Sequence, residues 1–175
     1  MKYKSVCFVF LCLFLASCSN KMYFTYDMKK RLDYYDLDVE RVQFYNSQKI
    51  VLTRVVPHDD ARIVNGEIKL EDGQFVEEII IKRNTPGACR LDEEAFLGVS
   101  FEQGDNKIIS FVLSDVSDYY EIEVIERGPG AGKIIYDSLL YNIDPNSEMA
   151  KLLVRKDDKY IYQINQRVAK GVLVR

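Results

Sequence analysis

The spacing of apolar residues changes twice along the chain. Val6 to Ala16 is an unbroken apolar run. Met28, Leu32 and Tyr35 then fall at i, i+4 and i+7, the spacing of one helical face. Thr25 can cap that helix, and Asp27 in its first turn suits the dipole. After Val39 the period is two. Val42 and Phe44 alternate with Gln43 and Tyr45, and Lys49 to Val56 is β-branched and apolar. Asn65-Gly66 joins Arg62–Val64 to Glu67–Leu70, and Asp72-Gly73 is a second hairpin turn. The run Ile79-Ile80-Ile81 predicts a strand covered on both faces, and Pro86-Gly87 a turn before Cys89.

Leu97, Val99 and Phe101 alternate with smaller or polar neighbours. Gly104-Asp105-Asn106 turns the chain into Lys107–Leu113, and Asp137-Ser138 is a tight turn between Ile134–Tyr136 and Leu139–Ile143. Tyr120, Ile122 and Val124 oppose Tyr119, Glu121 and Glu123, so this strand has one dry and one wet side. Tyr160, Tyr162 and Ile164 close the pattern, after a turn at Asp157-Asp158. Turns at this spacing predict an all-β chain: a single β-sandwich or small barrel of about ten strands, with a short N-terminal helix. No repeat or linker divides the body.

Leu15-Ala16-Ser17-Cys18 directly follows the apolar run, with Lys2 and Lys4 ahead of it. The run is too short for a bilayer, which needs about 20 apolar residues. The layout fits a cleaved signal peptide, and the four residues resemble the lipobox of bacterial lipoproteins. That resemblance implies a diacylglyceryl group on Cys18, cleavage before it, and further acylation of the new terminus, such as by palmitate. It divides the chain into a signal peptide over 1–17, an anchor and tether over 18–24, and one β-rich domain over 25–175. Ser19 and Lys21, with no acidic run after Cys18, imply an outer-membrane lipoprotein facing the periplasm. Val42 to Ser47, Ile50 to Leu52 and Asn84 to Gly87 resemble small β-rich lipoproteins of Bacteroidota. Some of that group look like accessory parts of the type VI secretion apparatus.

Charge narrows the partners. Of 24 Lys and Arg, two leave with residues 1–17, so the mature body carries 22 bases against 27 acids, a balance of −5. That disfavours nucleic acid and electrostatic docking onto anionic lipid, so the lipid and not the protein surface would hold the membrane. Cys7 and Cys12 leave with the signal peptide and Cys18 is consumed by lipid, so Cys89 is the lone thiol, read as a core residue.

Catalytic motifs fail on inspection. Arg127 to Lys133 lacks the first glycine and the hydroxyl of a phosphate loop. His58 with Asp59 and Asp60 is too few ligands for zinc, and Cys89 with His58 has no orienting partner. Gly98 to Glu102 misses the nucleophile elbow. Glu77-Glu78 and Glu93-Glu94 point to opposite sides of a strand. The expected protein is non-catalytic and needs no cofactor or metal. It docks on another envelope protein, through Tyr119, Glu121 and Glu123 or else through the basic helix residues Lys29, Lys30 and Arg31. A lipid-tethered domain that binds a small ligand is the alternative.

Overall fold

A computed structural model describes residues 20–57, 67–71, 74–128 and 130–157. The chain is all-β, with two antiparallel sheets face to face and no closed barrel. One sheet has seven strands, in the order β1 (Lys21–Tyr23), β13 (Leu152–Arg155), β2 (Gln43–Asn46), β6 (Pro86–Asp92), β7 (Phe96–Ser100), β8 (Ile108–Leu113) and β9 (Tyr120–Ile122). The other has six: β10 (Glu126–Arg127), β11 (Gly132–Tyr136), β12 (Leu139–Ile143), β3 (Ile50–Val56), β5 (Gln74–Ile81) and β4 (Glu67–Glu71). The seven-stranded sheet curls far enough for isolated bridges Thr25–Tyr119 and Glu121–Lys151 to join its two ends.

The inner faces supply one core. Phe24, Phe44, Leu97, Phe111 and Leu152 come from the first sheet or its flanks. Ile50, Leu52, Ile134, Tyr136 and Ile143 come from the second. Phe24 meets Phe44 edge-on at 5.0 Å and Tyr120 at 5.5 Å. Opposite strand positions reinforce the division between faces. Ile50 stands across from Ile81 and Leu52 across from Ile79, all four on the core side.

The single α-helix among the described residues, α1 (Tyr26–Tyr34), closes over this core with Met28 and Leu32 buried. Thr25 caps it by accepting the Met28 N–H at 3.3 Å. Tyr35 does not share the buried face; it is 60% exposed. The helix has already ended there. Asp36 takes a left-handed φ of 52°, the Asp36 N–H reaches Asp33 O and the Leu37 N–H reaches Leu32 O. This Schellman cap turns the chain so that Leu37, not Tyr35, packs against the core.

Other expectations are corrected in the same way. Thirteen strands stand among the described residues, against about ten expected. The short β1 and β10 and the buried run Leu152-Leu153-Val154 of β13 are too brief to show a period. Pro86-Gly87 is not a turn but the start of β6. Pro86 occupies the first strand position, where no ladder N–H is required. A Cβ on Gly87 would lie 2.7 Å from the Phe101 ring, so the residue is small for packing. The turn is earlier, at Asn84 with φ 64°. Ile80 is not covered on its own side of β5 and is 48% exposed. Asp137-Ser138 is the expected two-residue hairpin, with both φ positive, at 50° and 62°. His58 to Asp60, Asn65-Gly66, Asp72-Gly73, Tyr160 to Ile164 and the lipobox lie outside the described residues.

Candidate docking surfaces

Strand alternation sends Tyr120 and Ile122 inward, 6% and 4% exposed, and Tyr119 and Glu121 outward. β9 ends at Ile122, so Glu123 lies just past it, its N–H held by Ser110 O. The Glu121 carboxylate is 3.1 Å from the Lys151 ammonium. That same ammonium lies 4.9 Å from the Tyr119 ring centre and 5.9 Å from that of Tyr23. The two rings pack at 4.9 Å. Tyr119 and Glu121 are therefore brought together, but onto a basic surface whose acid is already paired.

β1 builds the other half of that surface. Its pairing with β13 sets Lys21 opposite Arg155 and Tyr23 opposite Leu153, all on the outer side. Leu153, flanked in the register by Tyr23 and Tyr45, is only 8% exposed despite facing out. Lys21 extends over the Tyr45 ring at 4.0 Å. Arg83 arrives from the Asn84 turn, which the Asn84 N–H ties to Asn46 O. Lys156 follows β13, and its N–H bonds to Asn20 O. Between them lies an open cavity of about 430 Å³, walled by Tyr23, Tyr119 and Leu153 with Lys21, Arg83 and Lys156. Among the described residues three cations line it and no carboxylate does.

The helix cluster proves less available. Lys29 is pinned between Asp33 at 2.5 Å and Asp92 at 3.0 Å, which ties α1 to β6. Burial opposes its charge, but the hydrogen bonds to both carboxylates outweigh that and hold the ammonium above its ordinary range. Lys30 leans over the Tyr26 ring at 4.4 Å. Arg31 is exposed.

A second surface was not found from sequence. On the outside of the six-stranded sheet, Ile135 stands opposite Leu140, and Val55 opposite Val76. The β12–β3 register, with Asn142 opposite Thr53, brings Leu140 level with Val55. An aliphatic row thus crosses four strands, with Ile135 58%, Val55 53% and Leu140 46% exposed. Ile80, opposite Val51, is exposed on the same face but lies four residues along β5, beyond the Thr53–Glu78 pair. The signal was in the doublets Ile134-Ile135 and Leu139-Leu140: in a strand, one member of each must face away from the core.

Polar groups between the sheets serve the fold. Arg54 Nε meets Glu77 at 2.5 Å, and the Tyr141 hydroxyl donates to the same oxygen at 2.9 Å. Tyr136 donates to Glu102, which also holds Lys107 at 3.0 Å. Glu77 faces inward opposite Arg54 while Glu78 stands opposite Thr53, so the adjacent acids do split between faces. Cys89 is 2% exposed, and burial together with Asp92 pushes its thiol up to about 12. Such a thiol is a poor nucleophile at neutral pH. Among the described residues no three His, Cys, Asp or Glu gather as metal ligands, and no helix is long and apolar enough to cross a membrane. Comparison with protein-family models, curated proteins and solved structures finds no match to the chain.

Proposed function

We propose that the chain is a bacterial lipoprotein, held in the outer membrane through Cys18 and facing the periplasm. Its β body acts as a non-catalytic docking or scaffold module for another envelope protein complex, with a type VI secretion apparatus as the candidate setting. The observation that carries docking is the aliphatic row on the six-stranded sheet. Three large aliphatic side chains, each about half exposed, sit side by side on the outer face of three neighbouring strands. A contiguous apolar patch of this kind marks an interaction surface more than scattered single residues do. The anchor agrees with that role. β1 begins at Lys21, so only Ser19 and Asn20 lie between the lipidated position and the folded sheet, and β1 falls within the stretch 18–24 read from sequence as anchor and tether. A body held that close to the bilayer presents a fixed side to its surroundings.

The test is co-purification from detergent-solubilised envelopes. The parent protein brings down a defined partner, and the double variant Ile135→Lys, Leu140→Lys loses it while staying folded and membrane-bound. Cys18→Ala moves the protein to the soluble fraction without unfolding it. A double variant that keeps its partner removes this face from consideration. The basic cavity favours the small-ligand alternative, for which native mass spectrometry of the purified protein would show a bound species of fixed mass.

A further inference from the structure

We infer that the outer face of β1 and β13 is the membrane-facing side of the protein and binds the phosphate headgroups of an anionic bilayer. The inference rests on the lipoprotein reading and adds which surface meets the lipid. It starts from reach. Two residues lie between Cys18 and Lys21, three steps along the chain, and an extended chain covers at most about 3.6 Å per step, so the start of β1 stays within roughly 11 Å of the anchor. β1 cannot swing away, because its three residues are paired with β13 and Phe24 continues the contact through its N–H to Leu152 O. Whatever side chains surround β1 are therefore carried to the headgroup layer, within about one Debye length of it at physiological salt.

Those side chains suit that layer. Lys21, Arg83 and Lys156 line the cavity, with no acid among the described residues of its walls. Glu121 of β9 and Asp157 after β13 are each paired, with Lys151 and with Arg155. Tyr23 and Tyr119 give rings with polar tips, the residue type that settles at a membrane–water interface. The mature balance of −5 describes the whole body and argued against electrostatic lipid binding. Charge on this face has the opposite sign from the total. With the anchor supplying the tether, the cations need only orient the body, which takes far less than holding it there alone.

Lysine acylation footprinting of the full, processed protein in nanodiscs tests this. Lys21 and Lys156 on this face are compared with Lys133, which lies on the outer side of the six-stranded sheet. In discs containing phosphatidylglycerol, acylation of Lys21 and Lys156 should slow by about threefold relative to phosphatidylcholine discs, with Lys133 unchanged. Protection should fade toward 1 M salt, where screening shortens to about 3 Å. Arg83→Glu should reduce the protection of Lys21. Equal reactivity in both lipids, protection of Lys133 to the same degree, or protection seen only in native envelopes and not in purified discs would overturn the inference, the last by assigning the face to a protein. Intact mass separates the two layers of argument. A diacylglyceryl-modified Cys18 without protection sinks only this inference, whereas an unmodified Cys18 sinks the anchor and the inference together.

Discussion

Tyr23 on the outside of β1 and Leu140 on the outside of β12 are about equally exposed, at 44% and 46%, yet their neighbours differ in kind. Tyr23 packs on Tyr119, lies beside the Lys151 ammonium and stands opposite Leu153. Leu140 has Ile135 and Val55 beside it, aliphatic like itself. The first surface is finished in water: each ring has a cation over it, and Glu121 has its lysine. The second gains nothing from water, and covering it would release apolar area worth about 25 cal/mol per Å². A surface that is already satisfied suits a shifting layer of headgroups. An aliphatic row suits a partner that packs against it. The two faces therefore point to two different neighbours, on opposite sides of one thin sandwich.

The comparison depends first on which side chains point inward, and the largest predicted effect tests that. Ile122 is 4% exposed and packs in the core beneath the basic surface, while Glu121 beside it faces out. Ile122→Asp should leave the domain unfolded or aggregated, since it removes an aliphatic side chain and buries an unpaired carboxylate, at least ~3 kcal/mol in all. Glu121→Lys should fold, losing about 1 kcal/mol with the Lys151 pair. Urea melts of both variants decide it. If Ile122→Asp melts like the parent, the register of β9 is off by one, and Tyr119 and Glu121 turn inward.

The interior beneath both faces has a shared alkaline weakness. Burial pushes the Cys89 thiol from an ordinary 9.0, and the Tyr120 and Tyr141 hydroxyls from 10.0, each up to about 12. All three groups are held neutral in the fold while the unfolded chain ionises. Between about pH 9 and pH 12 the unfolded state thus binds fewer protons, and stability falls as pH rises; below pH 9 these groups contribute no slope. Urea midpoints measured across that window should decline steadily. A flat profile would mean that these groups ionise in the folded state as easily as in the unfolded one.

How much of this was legible in the sequence follows from the length of each element. Long alternating segments such as Ile50–Val56 and the Asp137-Ser138 hairpin could be read, because period and turn chemistry agree there. The core of the fold was readable for the same reason. β13 was not, although it lies between β1 and β2 and is central to the basic surface, because Leu152-Leu153-Val154 shows no alternation. With β13 unseen, nothing in the sequence could bring Tyr23 and Lys21 to Tyr119, which is 96 residues further along. Tyr119 and Glu121 were singled out from parity alone. Lys151, which sets the charge of their surroundings, immediately precedes the strand that was missed. The aliphatic row depends on register between β12 and β3, and register across a long connection leaves no mark in local sequence.

A moderate effect should distinguish the finished surface from the unfinished one. Tyr23→Ala removes a ring that packs at 4.9 Å on Tyr119 and flanks Leu153. It should cost about 1–2 kcal/mol in a urea melt, from the lost ring pair and the exposed leucine. Tyr23→Phe keeps both contacts and should restore nearly all of it. If Tyr23→Ala is silent, the two rings are only neighbours, and the basic surface is no more built than the aliphatic one.

The smallest effect on stability belongs to the aliphatic row, and its smallness carries the argument. Ile135 and Leu140 face away from the core on the hairpin of β11 and β12, while Ile134 and Tyr141 beside them hold the interior, each 2% exposed. Replacing both outward residues by Lys removes surface that is already half in water and leaves the buried partners in place. The melt should therefore shift by no more than about 0.5 kcal/mol per substitution. A structural role would make the loss larger, as an apolar cross-strand pair contributes only about 0.2–1 kcal/mol before burial by another element is added. The same two lysines would place charge in the middle of any apolar contact with a partner, so binding should fall by at least an order of magnitude while the melt barely moves. Binding and stability that fall together would show the row to be part of the fold. Binding that falls alone leaves it as the surface another protein covers.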